Sequence, residues 1–436
     1  MLKCGLGPYR HLRRELMRTE RLNAEQLAQY QRARLRVVLR HALRYVQFYR
    51  REFGRLGIGS KEIEADVALP RLPVLSKRDV AAAGRDMYSS RFPRWMTRIA
   101  HTGGTTGTPL HLNRDLWSIG NEHAFVRRQW DWAGIGPADR CAYLTGEIVA
   151  PPDTSNGRLY KYDAVLKKLV LSTYHLSDSV APHYLDVMRD ARVAALVAYP
   201  SSALILARYA IENHHDVRLR AVLTTSETLH PDAKKLITDA FHCRVFDFYG
   251  SAERVCYIFT CDQDTYHIIP EYGITELQCI APNNTRSRIV ATGFWNLAMP
   301  LLRYDLGDIV EPGTSGCACG RSFPTVERIY GRPQEYLVAP DGRRLGAALL
   351  THLLYGARNI VESQLVQDAE DHVTWLCVRR AAYTAEDDAI LHALIRAHLP
   401  SNLRVTIRPV DAIPRTSLGK FRPIVNQVLA QPVDPS

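Results

Sequence analysis

The 436-residue chain is 46% hydrophobic and 23% charged, the composition of an ordinary globular protein long enough for two or three domains, which argues against a fibrous or disordered class. Its net charge of +11 comes from scattered residues, mostly Arg, so a nucleic-acid tract is not expected and polyanionic small molecules are favoured. Nine cysteines, an odd number without an apparent export signal, argue against a disulfide framework and leave free thiols or metal ligands.

In chain order, the opening stretch MLKCGLGPYR has no apolar h-region, so no signal peptide is expected. The apolar run 193–199 is far shorter than the roughly 20 residues of a membrane span, and a soluble, cytoplasmic protein follows. Residues 10–55 predict an amphipathic helix, with Leu35, Val38, Ala42, Tyr45 and Tyr49 at three-to-four spacing and a solvated basic face. From about 95 to 300, short apolar runs alternate with helical stretches: ARVAALVAYP then SALILARYAIENH, RAVLTTSE then PDAKKLITDAFH, then CRVFDFYG. That alternation predicts α/β architecture with a largely parallel sheet, and the Gly- and Ser/Thr-rich turns fall at strand ends, where such sheets bind ligands. After residue 330 the pattern becomes helix (345–356), strand (IVESQLVQ), strand (HVTWLCVRR), helix (AEDDAILHALIRAHL) and strand (LRVTIRPV). The expected organisation is a large α/β domain, 1–330, and a small α+β domain, 331–436, hinged near Gly331.

Within this frame, HTGGTTGTPL (101–110) packs three glycines and four threonines together. Such a loop aims backbone N–H groups and hydroxyls at an anion, or is simply a polar turn; with no Lys after the last glycine it is not a P-loop. Glu253 follows the strand in VFDFYGSAER, as a Mg²⁺ ligand or as a solvent-facing acid at a helix N-terminus. LLRYDLGD sets Asp305 and Asp308 on a tight turn with Gly307, suited to a ribose diol or to plain turn chemistry. Lys420, in IPRTSLGK, is a surface lysine unless its company gives it a role. Cys261 and His267, with Cys317 and Cys319, supply three thiolates and an imidazole. This is a closed tetrahedral zinc set of structural type, the alternatives being free buried cysteines or Cys256 as a substitute ligand.

Taken in order, these motifs resemble the adenylate-forming ligase superfamily, and within it the phenylacetate–coenzyme A ligase branch with its CapK-like members. FYRREF, LPVLSKRDV, HTGGTTGTP, YPSSALILA, TTSETL, YGSAE, RYDLGD, CACGRSFPTVERIYGRPQEYL and IPRTSLGK each match a family signature in the family's order. The resemblance implies that Thr102, Gly103, Gly104, Thr105, Thr106 and Gly107 wrap the ATP phosphates. It implies that Glu253 holds Mg²⁺, that Asp308 binds the ribose, and that Arg332 aids nucleotide binding. Ser226, Glu227, Tyr249, Gly250 and Ser251 would frame the nucleotide, and Tyr199, Pro200 and Ser201 would border the acyl pocket. Lys420 would reach in from the small domain to bridge carboxylate and nucleotide oxygens. The chain departs from the family pattern at Gly103, where Ser is usual, and at Pro333, Gln334 and Glu335, where the hinge usually reads x-Asp-Asp.

The expected activity is ATP- and Mg²⁺-dependent activation of an aromatic or small hydrophobic carboxylic acid, followed by transfer to coenzyme A. The same residues also admit transfer to an amine, AMP transfer, or a non-catalytic nucleotide-binding relative. Neither a nucleic acid partner nor a membrane span is expected, and a homodimer is left open.

Overall fold

The computed structural model describes residues 7–101, 110–147, 149–150, 159–282, 284–313, 316–331, 336–340, 344–346, 359–415 and 421–428. The chain divides into two compact units, one made of 1–136 with 246–329 and the other of 137–245 with 330–436.

Helices open the first unit: Gly7–Thr19 (α1), Ala24–Tyr45 (α2), Gln47–Leu56 (α3), Ser60–Glu64 (α4), Ala68–Arg71 (α5) and Lys77–Ala83 (α6). The single helix expected over 10–55 is therefore three. Asn23 starts α2 through a capping box: its side chain accepts the Gln26 N–H at 2.9 Å, and Gln26 returns a bond from the Asn23 N–H at 3.1 Å. Val46 then turns extended and bridges to Ser89, which ends α2 before α3 begins. The apolar stripe is as expected, since Leu35, Val38, Ala42 and Tyr49 are buried in the main core of this unit.

His41 is buried beside that stripe, its Nε2 lying 2.9 Å from both Ser89 Oγ and the Leu297 carbonyl. Burial holds its pKa below the usual 6.5. The unfolded chain therefore takes up this proton first as pH falls, so the folded state loses stability on acidification below about 6.5. Thermal unfolding scans of the wild type and His41→Gln should converge at neutral pH and separate on acidification, the wild type losing more; parallel pH profiles would contradict this.

Thr97–His101 (β1) and His111–Asp115 (β2) form an antiparallel hairpin in register Thr97 to Asp115. Asp115 then caps Leu116–Trp132 (α7), accepting the Ser118 N–H at 2.7 Å.

The second unit contains the α/β alternation. Cys141–Leu144 (β3), Tyr160–Asp163 (β4), Lys168–Leu171 (β5), Ala195–Ala198 (β6) and Ala221–Thr225 (β7) run in the order β7-β6-β3-β5-β4, parallel except for β4. Ala181–Asp190 (α8), Pro200–Glu212 (α9) and Pro231–Phe241 (α10) bury their apolar faces with these strands in one core.

Beyond residue 245 the expectation of a largely parallel sheet gives way. Arg244–Gly250 (β8), Tyr257–Thr260 (β9), Tyr266–Ile268 (β10), Gly273–Cys279 (β11), Ser287–Gly293 (β12), Tyr304–Pro312 (β13) and Thr325–Gly331 (β14) lie in the order β11-β12-β13-β14-β10-β9-β8. Registers for β8/β9, β9/β10, β10/β14, β11/β12 and β12/β13 are antiparallel. Connections of a few residues between several of these strands reverse the chain, whereas a parallel crossover needs a dozen or more.

In the C-terminal part, Tyr336–Val338 (β15) pairs with Arg344–Gly346 (β16). Ile360–Ala369 (β17), His372–Arg379 (β18), Arg404–Pro409 (β19) and Ile424–Asn426 (β20) form a sheet in the order β19-β18-β17-β20, with Ala385–His398 as α11. Trp375, Leu365, Leu391 and Ile424 are fully buried in its core. The predicted strands and second helix of this region are present; most of the helix expected at 345–356 lies outside the described residues.

Candidate active site

In the first unit the end of β8 is packed too tightly for any side chain at Gly250. A Cβ there would sit 2.7 Å from the Tyr257 ring and 2.8 Å from Phe248, which is why glycine follows Tyr249. Tyr249 donates its hydroxyl to Asp308 Oδ2 at 2.7 Å. Burial, with the Asp308 charge adding to it, holds that phenol well above its usual range, so the hydroxyl keeps its proton. Glu253 is 6% exposed, which rules out the solvent-facing alternative, and it accepts a hydrogen bond from Tyr304 at 3.1 Å. Asp308 is likewise buried.

Asp305 and Asp308 are not on a free turn. They belong to β13, where the pairing with β12 jumps from Arg288–Ile309 to Val290–Asp305, leaving Leu306, Gly307 and Asp308 opposite Ile289 alone. Gly307 has φ +69 at this bulge, and its N–H bonds Asp305 Oδ1 at 2.9 Å. The consequence is a division of labour: Asp305 pairs with Arg288 at the surface, while Asp308 turns to Tyr249.

Two buried polar atoms here have no hydrogen-bond partner among the described residues: Ser251 Oγ and Arg114 Nε. Arg114, on β2, donates to the Ala252 carbonyl, and burial lowers its pKa. Orphaned donors beside two buried carboxylates fit a polar, charged ligand better than a sealed core. Sequence reasoning missed Arg114 and Tyr304, although Tyr304 stands within the RYDLGD motif.

The second unit holds another set. Tyr199 is the N-cap residue of α9, and Pro200 opens the helix with its preset φ. Glu227 accepts the Ser201 N–H on Oε2 at 3.1 Å and the Phe421 N–H on Oε1 at 2.8 Å. Burial raises its pKa, and these two N–H groups act in the opposite sense. Ser226, exposed just before it, sits at φ +72, a conformation a non-glycine residue adopts under constraint. Arg415 pairs with Glu362 at 2.6 Å and lies 5.0 Å from the centre of the Phe421 ring. Glu227 therefore joins the start of α9 to the residue that follows Lys420. Arg415 and Phe421 carried no signal beyond their nearness to Lys420 in the sequence.

Cys261, His267, Cys317 and Cys319 converge, their ligand atoms all within 4.8 Å of one another. Cys261 Sγ lies 3.6 Å from Cys317 Sγ, too far for a disulfide, and Cys319 Sγ lies 3.4 Å from His267 Nε2. His267 Nδ1 donates to the Phe323 carbonyl at 3.3 Å, which leaves the Nε2 lone pair free for a metal. N–H groups of Gln263 and Cys319 point at the sulfurs of Cys261 and Cys317. Cys256 stands apart, buried and taking a hydrogen bond from Thr275.

Thr102, Gly103, Gly104, Thr105, Thr106, Gly107, Arg332 and Lys420 lie outside the described residues.

A model of the CapK C-terminal domain matches residues 337–427. Protein CapK of Staphylococcus aureus is 22% identical over 424 residues, covering 96% of this chain and 93% of that protein. The phenylacetate–coenzyme A ligase of Thermus thermophilus is 23% identical over 447 residues, covering 93% and 98%. A crystal structure of 2-hydroxyisobutyryl-CoA ligase, in the postadenylation state with 2-HIB-AMP, superposes with a TM-score of 0.71 at 19% identity, covering 94% of this chain and 91% of that one. The chain has the adenylate-forming ligase fold. Its C-terminal part matches the CapK C-terminal domain model, and its homologues include CapK and phenylacetate–coenzyme A ligases.

Proposed function

We propose that the chain is an ATP- and Mg²⁺-dependent ligase that activates a carboxylic acid, aromatic or small and hydrophobic, as its acyl-adenylate and passes the acyl group to coenzyme A. The observation that carries this reading is the pair of buried carboxylates, Glu253 under Tyr304 and Asp308 under Tyr249, at the end of β8. Relatives named phenylacetate–coenzyme A ligase support the acid and the acceptor.

A carboxylate is a poor acyl donor because its leaving group is oxide. Its oxygen attacks the α-phosphorus of ATP, the bond to the bridging oxygen breaks, and pyrophosphate leaves. The thiol of coenzyme A then attacks the acyl carbon and AMP departs. Mg²⁺ at Glu253 would neutralise phosphoryl charge. Asp308, fixed by the Tyr249 hydroxyl, accepts from the ribose diol. The segment 102–107 supplies backbone and hydroxyl donors to the phosphates, with Arg332 assisting. Ser226, Glu227, Tyr249, Gly250 and Ser251 frame the nucleotide, and Tyr199, Pro200 and Ser201 border the acid. Lys420, a point charge on a flexible stem, bridges carboxylate and phosphate oxygens and leaves again as the domain 331–436 turns about its hinge. Cys261, His267, Cys317 and Cys319 would hold a zinc ion, which would tie two loops together in a structural role.

Exchange of labelled pyrophosphate into ATP, measured across a panel of carboxylic acids, tests the first half-reaction. Exchange that depends on an acid supports the proposal, and none with any acid refutes it. Adding coenzyme A then asks for a thioester; an amide formed with an amine in its place would move the assignment to that acceptor.

Glu227 gives a separate test of positioning. Glu227→Ala leaves the N–H groups of Ser201 and Phe421 without their acceptor, so exchange should slow by about tenfold, the cost of one or two such bonds. Thioester formation from synthetic acyl-adenylate, which needs the nucleotide framed but not Lys420, should slow less. Equal losses in both steps would contradict this role.

A further inference from the structure

The first hundred residues hold 22 Lys and Arg against nine Asp and Glu, so a surplus of 13 lies there and the remainder of the chain, 34 against 36, is slightly acidic. Within that segment and just beyond, no acidic residue occurs from Met87 to Arg114. In this same stretch the structure exposes large apolar groups that are usually covered: Trp95 is 71% exposed and Ile99 52%, and Trp117, at the start of α7, is 50% exposed.

The backbone brings several of these groups near one another. The Phe92 ring meets Trp117 edge-on, with centroids 6.3 Å apart. The hairpin register sets Asp115, two residues before Trp117, opposite Thr97, two residues after Trp95. Arg91, Arg94 and Arg98 are interspersed and exposed, and none makes an ion pair among the described residues. Arg91 lies 5.7 Å from the Tyr45 ring centre, and Arg98 donates to the carbonyls of Trp95 and Thr97. The acid that follows the stretch, Asp115, is 2% exposed and committed to capping α7.

Three guanidinium groups without counter-charges call for an anionic partner. Two protruding indoles call for one with an apolar layer beneath its charge. A second copy meeting the same groups would set like charges against each other, which disfavours self-association there. An acidic polypeptide would satisfy the arginines and leave the indoles in water. A bilayer of anionic lipid satisfies both, since Arg pairs with phosphate headgroups and Trp settles at the headgroup–acyl boundary. We infer that the exposed groups Arg91, Arg94, Trp95, Arg98 and Trp117 dock the protein peripherally on an anionic lipid surface. No helix among the described residues is long and apolar enough to cross a membrane, so the attachment is to the surface.

Co-sedimentation of the full chain with phosphatidylcholine vesicles, with and without phosphatidylglycerol, tests this, with tryptophan emission read in parallel. The protein should sediment with the anionic vesicles, shift its emission to the blue, and bind less as salt rises. Arg91→Gln/Arg94→Gln/Arg98→Gln should lower the partition coefficient about a hundredfold, on the scale of three juxtamembrane basic residues. Trp95→Ser/Trp117→Ser should lower it as well and abolish most of the blue shift, both variants keeping the wild-type circular dichroism. Any of four results would overturn the inference: no sedimentation with anionic vesicles, equal binding to neutral ones, unchanged binding by both variants, or binding to polyglutamate as tight as to vesicles. A concentration-dependent dimer abolished by the Trp95→Ser/Trp117→Ser variant would overturn it in favour of a second copy.

Discussion

Glu253→Gln is expected to lower acid-dependent ATP–pyrophosphate exchange by about 10²–10³-fold, the usual effect of removing one group that stabilises developing phosphoryl charge. The amide can still accept from Tyr304, so shape and local bonding are retained while the negative charge is lost. Thermal unfolding should therefore not fall, because a neutral group in this buried position carries less desolvation cost than a carboxylate. The Mg²⁺ concentration needed for half-maximal exchange should rise in the same variant. Tyr304→Phe isolates the orienting bond and should cost about tenfold, within the range of one hydrogen bond to a charged group. Full exchange activity in Glu253→Gln, with an unaltered Mg²⁺ profile, would remove this residue from the reaction.

The second large effect concerns the four-ligand cluster. Protein purified without chelators should carry close to one equivalent of zinc, because three sulfurs and one imidazole nitrogen are already gathered within 4.8 Å. Cys317→Ser/Cys319→Ser should lose that metal and unfold at a temperature lower by on the order of 10 °C, since a site that binds only the folded chain contributes its binding energy to stability. The residual activity of the variant below its unfolding temperature should stay close to wild type, as expected of a brace. A variant that keeps its zinc would remove these two residues from the ligand set; one that loses zinc without losing stability would remove the structural role.

Much of this arrangement was legible in the sequence wherever local chemistry determines local structure. The β6–α9 and β7–α10 units follow from apolar runs and amphipathic stretches, and Pro200 and Pro231 mark the helix starts. The two short-spaced Cys/His pairs also predicted their own convergence, because each lies in turn-like sequence with thiol and imidazole chemistry to spare. The antiparallel strands after residue 250 were less legible, since short strands and short connections resemble βα units until pairing partners are known. The fate of Glu253 shows the same limit. Sequence offered a solvent-facing acid or a buried ligand with equal grammar, and only packing beneath Tyr304 separates them. The Glu227 carboxylate also bonds Phe421, almost two hundred residues away, a pairing no local pattern encodes.

The bulge in β13 makes chain length itself a determinant of which acid meets Tyr249. Asp305 and Asp308 differ in destiny because surplus residues are looped out between them, with a left-handed glycine absorbing the slack. Deleting one residue from 306–308 would shorten the bulge and disturb the Tyr249–Asp308 bond, whereas Gly307→Ala, with open space around it, costs only the backbone penalty of about 1–2 kcal/mol. Variation that preserves the Tyr249–Asp308 bond is therefore expected by exchange of side chains more than by insertion or loss.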